Sequence, residues 1–231
     1  SRVMESGADV IAFELIIGEC MEIVSRNGIG IRIPLPLGSP WYVMVEIAAA
    51  HPSVPLREML EDTLAAAAEA EEVLDATIAE NEQQRANIWR IREDWPDCGR
   101  REAPSINTDT SVPVSAVPAF CTRVQAALAA RWPEGRLIAI GHAGDGNIHV
   151  SLMAPAGTAY ADWSARAAGA EEVVNAIAVD LGGSFSAEHG IGQSKRHAMA
   201  THKDKVALDL MRAVKTVIDP GGMMNPGKML P

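Results

Sequence analysis

Apolar and polar positions along the chain recur with two periods, near two and near 3.6 residues, and the two alternate often enough to predict a mixed α and β protein. Residues 8–15 (ADVIAFEL) read as a strand leading into a helix to about residue 25, which Asn27-Gly28 ends with a pair that tolerates left-handed backbone. Pro34, Pro36 and Pro40 make the next segment an extended loop. Residues 41–49 (WYVMVEIAA), aromatic and β-branched, form the strongest strand signal of the first half. An Ala-rich helix follows over residues 56–72, with Glu58, Glu61, Asp62, Glu69, Glu71 and Glu72 as a solvated acidic face. Residues 73–78 read as a short strand, 81–93 as a helix, 95–104 as a polar loop broken by Pro and Gly at the rim of a site, and 105–113 as a strand.

The second half repeats the alternation. Residues 114–132 form an amphipathic helix ended by Pro133 and Gly135. Apolar runs at 137–140 and 148–152 then flank Asp145-Gly146, a hairpin signal. A long Ala-rich helix spans 159–181, with an apolar stripe at Ala167, Ala170, Val173, Val174 and Ile177 and a Gly182-Gly183 cap. A strand-like segment around Ser184 leads to helices over 192–201 and 203–218 and a Gly/Pro-rich tail over 219–231. Two successive sets of strands and helices predict an α+β fold, an antiparallel sheet with helices packed on one face.

The hairpin carries the chemistry. A two-residue turn centred on Asp145-Gly146 would put His142 directly opposite His149. Opposed residues have Cβ atoms about 4.5–5.5 Å apart, so both imidazoles could reach one ion at Zn–N distances of about 2.0–2.1 Å. The same spacing also suits an edge pair of histidines that bind nothing. Glu188 and His189 shift the balance toward a metal. Two His and one carboxylate are a catalytic-type ligand set, with a position left for water or substrate. Consecutive strand residues point to opposite sides, so Glu188 would ligate and His189 would remain for proton transfer unless the backbone turns there.

Composition narrows the function. With 48% hydrophobic and only 4% aromatic residues, the core must be aliphatic. A net charge of −10 excludes non-specific binding to nucleic acid or anionic membranes. No apolar run approaches the roughly 18 residues of a membrane span, and no signal-peptide pattern opens the sequence, which together predict a cytoplasmic protein. Cys20, Cys98 and Cys121 are odd in number and outside any CxxC pattern, so they read as plain thiols.

Three motifs, in order, resemble one family. They are Gly141-His142-x-Gly144-Asp145-Gly146-Asn147-x-His149, Glu188-His189-Gly190-Ile191-Gly192-x-x-Lys195, and Asp219-Pro220-x-Gly222-x-x-Asn225-Pro226-Gly227-Lys228. With residues 88–93 (IWRIRE), 109–113 (DTSVP) and 12–15 (AFEL), they are similar to the C-terminal domain of FAD-linked oxidases of the vanillyl-alcohol oxidase type. That group includes D-lactate dehydrogenases, the flavin subunit of glycolate oxidase and D-2-hydroxyglutarate dehydrogenase.

The resemblance implies a ferredoxin-like cap over the whole of residues 1–231, which binds substrate and metal. FAD would be held by an N-terminal domain absent from this chain, in keeping with the lack of any Gly-rich phosphate-binding loop. It further implies zinc or manganese on His142, His149 and Glu188, His189 as the base, and Arg92 and Lys195 on a small 2-hydroxy acid. Asn225 and Lys228 would face the flavin. Asn107 stands where many relatives carry a basic residue, and Ser151 where they can carry Asn; both changes weaken the case for a dicarboxylate substrate. Two other functions fit the same residues: a stand-alone metal hydrolase, and a non-catalytic cap that docks on a separate flavin subunit.

Overall fold

The computed structural model describes residue 3 and residues 7–231. Its elements, in chain order, are β1 (Asp9–Ile17), α1 (Gly18–Asn27), β2 (Trp41–Ala48), α2 (Leu56–Glu69), α3 (Glu82–Glu93), α4 (Trp95–Glu102), β3 (Ser105–Asn107) and β4 (Thr110–Ser111). After a 3-10 turn at Val114–Ala116 come α5 (Val117–Arg131), β5 (Arg136–His142), β6 (Asn147–Met153), α6 (Tyr160–Arg166), α7 (Ala170–Asp180), α8 (Arg196–His202) and α9 (Lys205–Ile218). The strands form one antiparallel sheet in the order β2-β1-β5-β6-β3, with β4 also on β6.

An α+β fold is therefore what the periodicity builds. The run β3/β4, α5, β5, β6, α7 and a bridge from Ser184 back to Ser111 is a βαββαβ unit of ferredoxin-like order, and β1 and β2 widen its sheet beyond β5. Val150 and Leu152 of β6 pack against Leu128 of α5 and Val174 of α7. The core is mainly aliphatic, as composition predicts, with Ile23, Leu128, Ile138, Ile148 and Val150 almost fully buried, but its two largest fully buried side chains are the aromatic Trp163 and Phe120. At the far end of the opposite sheet face, Arg136 joins Glu19 of α1 (3.0 Å) to Glu102 of α4 (2.8 Å).

Four local expectations change. Residues 73–78 form no strand: Asp75 closes on its own following N–H, and Leu74 is exposed, so no neighbouring strand gives the segment a ladder. The expected loop at 95–104 is largely helix α4. Pro96 falls in its first turn, where no N–H is needed, and Trp95 and Cys98, three apart, are buried on one face. The strand expected over 105–113 divides at Thr108-Asp109 into β3 and β4, and the helix expected over 159–181 breaks at Gly169, whose φ is +89°.

The hairpin register also moves by two residues. Ile140, not His142, lies opposite His149. A type I′ turn needs positive φ at both central residues, but only Gly146 has it, at +82°. Asp145 instead accepts the Asn147 N–H with its side chain (3.0 Å), and residues 143–146 form a four-residue loop. Because side chains alternate with a period of two, a shift of two leaves His142 and His149 on one face and only makes their approach diagonal.

Candidate active site

Strands β1, β5 and β6, the last turn of α3, the β3–β4 link and the 186–189 loop assemble the site. His142, at the end of β5, and His149, in β6, lie edge to face with ring centroids 6.2 Å apart. On the other side of β5, Glu14 of β1 is the cross-strand partner of His142. Its carboxylate is 2% exposed and accepts from His142 Nδ1 at 2.6 Å and from Arg92 Nε at 2.9 Å. Arg92 sits in the last turn of α3, where a cation suits the helix dipole. That helix begins on Asn81, whose side chain accepts the Gln84 N–H.

Asp109 organises the opposite wall. Thr108 and Thr110 donate their hydroxyls to the Val150 and Ile148 carbonyls of β6, which locks the intervening residue between them. Asp109 is 1% exposed and accepts the backbone N–H groups of Ala187 (3.1 Å), Glu188 (3.3 Å) and His189 (2.9 Å), together with Lys195 Nζ (3.1 Å). Burial works to raise its carboxyl, but the His189 N–H and the Lys195 ammonium outweigh that and hold it at about 2.

The 186–189 loop thus wraps an anion, and the backbone does turn at Glu188-His189. Glu188 Oε1 comes within 3.1 Å of His149 Nε2 and 3.6 Å of His189 Nε2. His189 stacks on His149 with ring centroids 5.4 Å apart. Its Nδ1 lies 3.8 Å from Asp109 Oδ2.

The donor set suits a divalent ion. Ligand atoms of Asp109, His149, Glu188 and His189 all lie within 4.8 Å of one another. Burial, and next the charge of Arg92, hold the His149 imidazole below its ordinary value, which keeps it in the neutral form that can ligate. Asp109 is the poorest ligand of the four, because its oxygens already serve three backbone donors and an ammonium. His142 stands outside the tight group.

The remaining residues singled out in the sequence are placed as follows. Arg92 stands behind His142. Lys195 is 12% exposed and turned onto Asp109 and Ser186 Oγ (3.0 Å), so its charge holds the loop instead of facing the open site. Asn225 and Lys228 are exposed on the tail, which is anchored beside the loop by Met229 N–H to the Gly192 carbonyl (2.7 Å) and Arg196 Nε to the Leu230 carbonyl (2.8 Å). Asn107 and Ser151 are cross-strand partners, and the Ser151 hydroxyl donates to Asn107 Oδ1 at 2.6 Å. Ser151 is two residues from His149 on the same strand face, so this uncharged pair borders the site.

Sequence reasoning passed over Glu14 and Asp109 as working residues. Their signals were a single acid within the apolar run VIAFELII (residues 10–17) and an acid held between two threonines. Among the described residues, no helix is long and apolar enough to cross a membrane.

The chain is 32% identical over 224 residues to a D-2-hydroxyglutarate dehydrogenase of Stutzerimonas stutzeri, covering 96% of this chain and 47% of that protein. It is 34% identical over 221 residues to one of Xanthomonas citri pv. viticola, covering 94% and 45%. It is 32% identical over 230 residues to the mitochondrial D-2-hydroxyglutarate dehydrogenase of Rattus norvegicus, covering 97% and 40%. The chain therefore spans less than half the length of these curated relatives. The family described as FAD linked oxidases, C-terminal domain, matches residues 1–229, and the chain belongs to that family.

Proposed function

We propose that residues 1–231 are the substrate- and metal-binding domain of a flavin-dependent D-2-hydroxy acid dehydrogenase. The observation that carries this reading is the convergence of His149, Glu188 and a third imidazole, His189, beside His142 and Arg92. His142, His149 and Glu188 would hold zinc or manganese. A divalent ion bound there supplies Lewis acidity, which lowers the pKa of a substrate hydroxyl as it does that of bound water. FAD, held mainly by another domain or subunit, supplies the hydride acceptor.

The chain's own residues do the rest. Arg92 orients the substrate carboxylate, for which a planar guanidinium is suited. His189 is 61% exposed, so its ring can meet a substrate arriving over the site. It takes the hydroxyl proton at Nε2, while Nδ1 faces the Asp109 anion. Lys195 keeps the loop closed on Asp109. The Asn107–Ser151 pair offers no charge to a second carboxylate, which favours a substrate of D-lactate or glycolate type over D-2-hydroxyglutarate.

The flavin part would dock on α9 and the tail. Val206, Leu210, Val214 and Val217 recur at three- and four-residue spacing and are 50–81% exposed, continuous with Met223 and Met224. Leu208, on the other side of α9, joins only a small satellite core with Phe185, Ala198 and Met199. An apolar stripe of this length marks a protein contact. Asn225 and Lys228, on the same tail, would then reach the flavin. Free buried thiols at Cys20, Cys98 and Cys121 suit a reducing compartment such as the cytoplasm.

Elemental analysis of the purified chain tests the reading, with a His142→Ala/His149→Ala variant as control. About one zinc or manganese per chain, lost in the variant, is expected. Absence of metal from both proteins would overturn a preformed metal site. The isolated chain given free FAD, D-lactate and an electron acceptor is expected to show no turnover. Ester or phosphate cleavage by the metal-loaded chain would instead favour a hydrolase.

A further inference from the structure

Glu14 has an environment that the ligand set does not explain. A carboxylate inside an apolar strand, paired on both sides by β2 and β5, is strongly destabilising unless its oxygens are hydrogen-bonded and its charge is matched. Both oxygens of Glu14 are committed. Oε1 accepts from His142 Nδ1 at 2.6 Å, and Oε2 accepts from Arg92 Nε at 2.9 Å. An ionised carboxylate only accepts, so the neutral His142 ring must carry its proton on Nδ1. Its lone pair is then on Nε2, at the edge of the ring away from the buried acid. The His142 side chain is 40% exposed while Glu14 is 2% exposed, so that edge is turned to the open side.

From this the geometry points to Glu14 as a positioning residue that fixes the tautomer and ring orientation of His142 for metal binding, and that sets the spacing between the metal and Arg92. This rests on the metal reading proposed above. One carboxylate bridging His142 and the Arg92 guanidinium ties the two halves of the site together: His142 would help hold a metal that supplies Lewis acidity at the substrate hydroxyl, and Arg92 would hold the carboxylate end. Arg92 uses only its Nε edge on Glu14, and its Nη nitrogens have no hydrogen-bond partner among the described residues. A ligating histidine whose second nitrogen is held in this way typically loses about 10- to 100-fold in metal affinity when the holding group is changed.

The test is zinc affinity, measured by competition with a chromophoric chelator, in wild type, Glu14→Gln, Arg92→Gln, the Glu14→Gln/Arg92→Gln double variant and His142→Ala. Glu14→Gln is expected to weaken zinc by about 10- to 100-fold, and Arg92→Gln by clearly less than that, because Glu14 still holds the ring. Equal losses in both single variants would show an ion pair with a purely structural role and overturn the inference. So would wild-type affinity in Glu14→Gln.

The double variant removes both charges together and so avoids an unpaired buried cation. It decides the matter if Glu14→Gln fails to fold, and wild-type affinity there overturns the inference. Nitrogen-15 spectra of the metal-free proteins provide a second readout. His142 should be purely Nδ1-protonated in wild type and a mixture of tautomers in the Glu14 variants; identical spectra would overturn the role assigned to Glu14. Failure of wild type to bind zinc would sink the metal reading, and the tautomer spectra would still decide for or against Glu14.

Discussion

Asp109→Asn should be among the most destabilising isosteric changes in this protein. Ala187, His189 and Lys195 all donate to Oδ2, so an asparagine oxygen placed there keeps those contacts in weaker, neutral form, while its NH2 faces the Glu188 N–H at the other oxygen and the Lys195 ammonium loses its counter-charge. Hydrogen bonds to a charged group contribute about 1.5–3 kcal/mol each, though not additively. Removing one partner of a buried ion pair costs about 3–5 kcal/mol, because the other charge is left uncompensated. Lys195 is 12% exposed, so the upper figure applies to it with little screening. The expected loss is about 3–5 kcal/mol, a large share of the roughly 5–15 kcal/mol available to a folded domain.

For a chain of this size the loss lowers the thermal midpoint by roughly 10 °C. Urea denaturation at pH 7 measures it directly. Adding Lys195→Met to Asp109→Asn should recover part of the loss, because no unpaired charge remains. The pH dependence has a definite sign. Asp109 lies at about 2 in the folded protein against an ordinary 3.8, so the unfolded chain takes up the proton first as pH falls. The stability difference between wild type and variant should therefore be constant above about pH 5 and narrow by about 2 kcal/mol as pH falls toward 2. A loss below about 1 kcal/mol, or a double variant no more stable than the single one, would refute the view that this buried pair holds the loop.

Other residues make separate predictions. His189→Ala in the complete flavoprotein should abolish turnover and leave the metal content unchanged; loss of metal would make His189 a ligand and reverse the assignment. Gly141→Ala should destabilise the chain by about 1–3 kcal/mol and weaken zinc, because a Cβ there would run into the Asn147 carbonyl and approach Ile148 Cα to 3.0 Å, distorting the hairpin between the two histidines. Thermal melting and chelator competition together would check it. Leu210→Ser/Val214→Ser should leave the melting temperature of the isolated chain nearly unchanged, since both side chains are at least half exposed, but should weaken association with the flavin-binding half in a pull-down.

Much of this architecture is legible from local pattern. Strands β1 and β2, the boundaries of α3 and α5, and the hairpin around Asp145-Gly146 all follow from side-chain period and turn chemistry, which act over a few residues. The pairing of His142 with His149 on one face survived even a misjudged turn, because an error of two in register preserves alternation.

Segments without such protection were misread. The Pro-containing stretch 95–104 looked polar, yet Trp95 and Cys98 bury its other side in the core and make it helical. The strand expected at 73–78 had suitable residues and no neighbour to pair with. Pattern shows what a segment can become, and packing decides between the outcomes.

The sequence by itself determined the fold class, a mainly aliphatic core, and the shared strand face of His142 and His149, because these depend on composition and period. Only the tertiary structure decided that Glu14 lies under His142, that Asp109 gathers residues 187–189 and Lys195, and that Lys195 is spent on that anion. The partners in those contacts are 128 residues apart for Glu14 and His142, and 86 for Asp109 and Lys195. No local signal encodes such distances. They are set by strand order, and by the need of a buried carboxylate to find donors wherever the fold brings them.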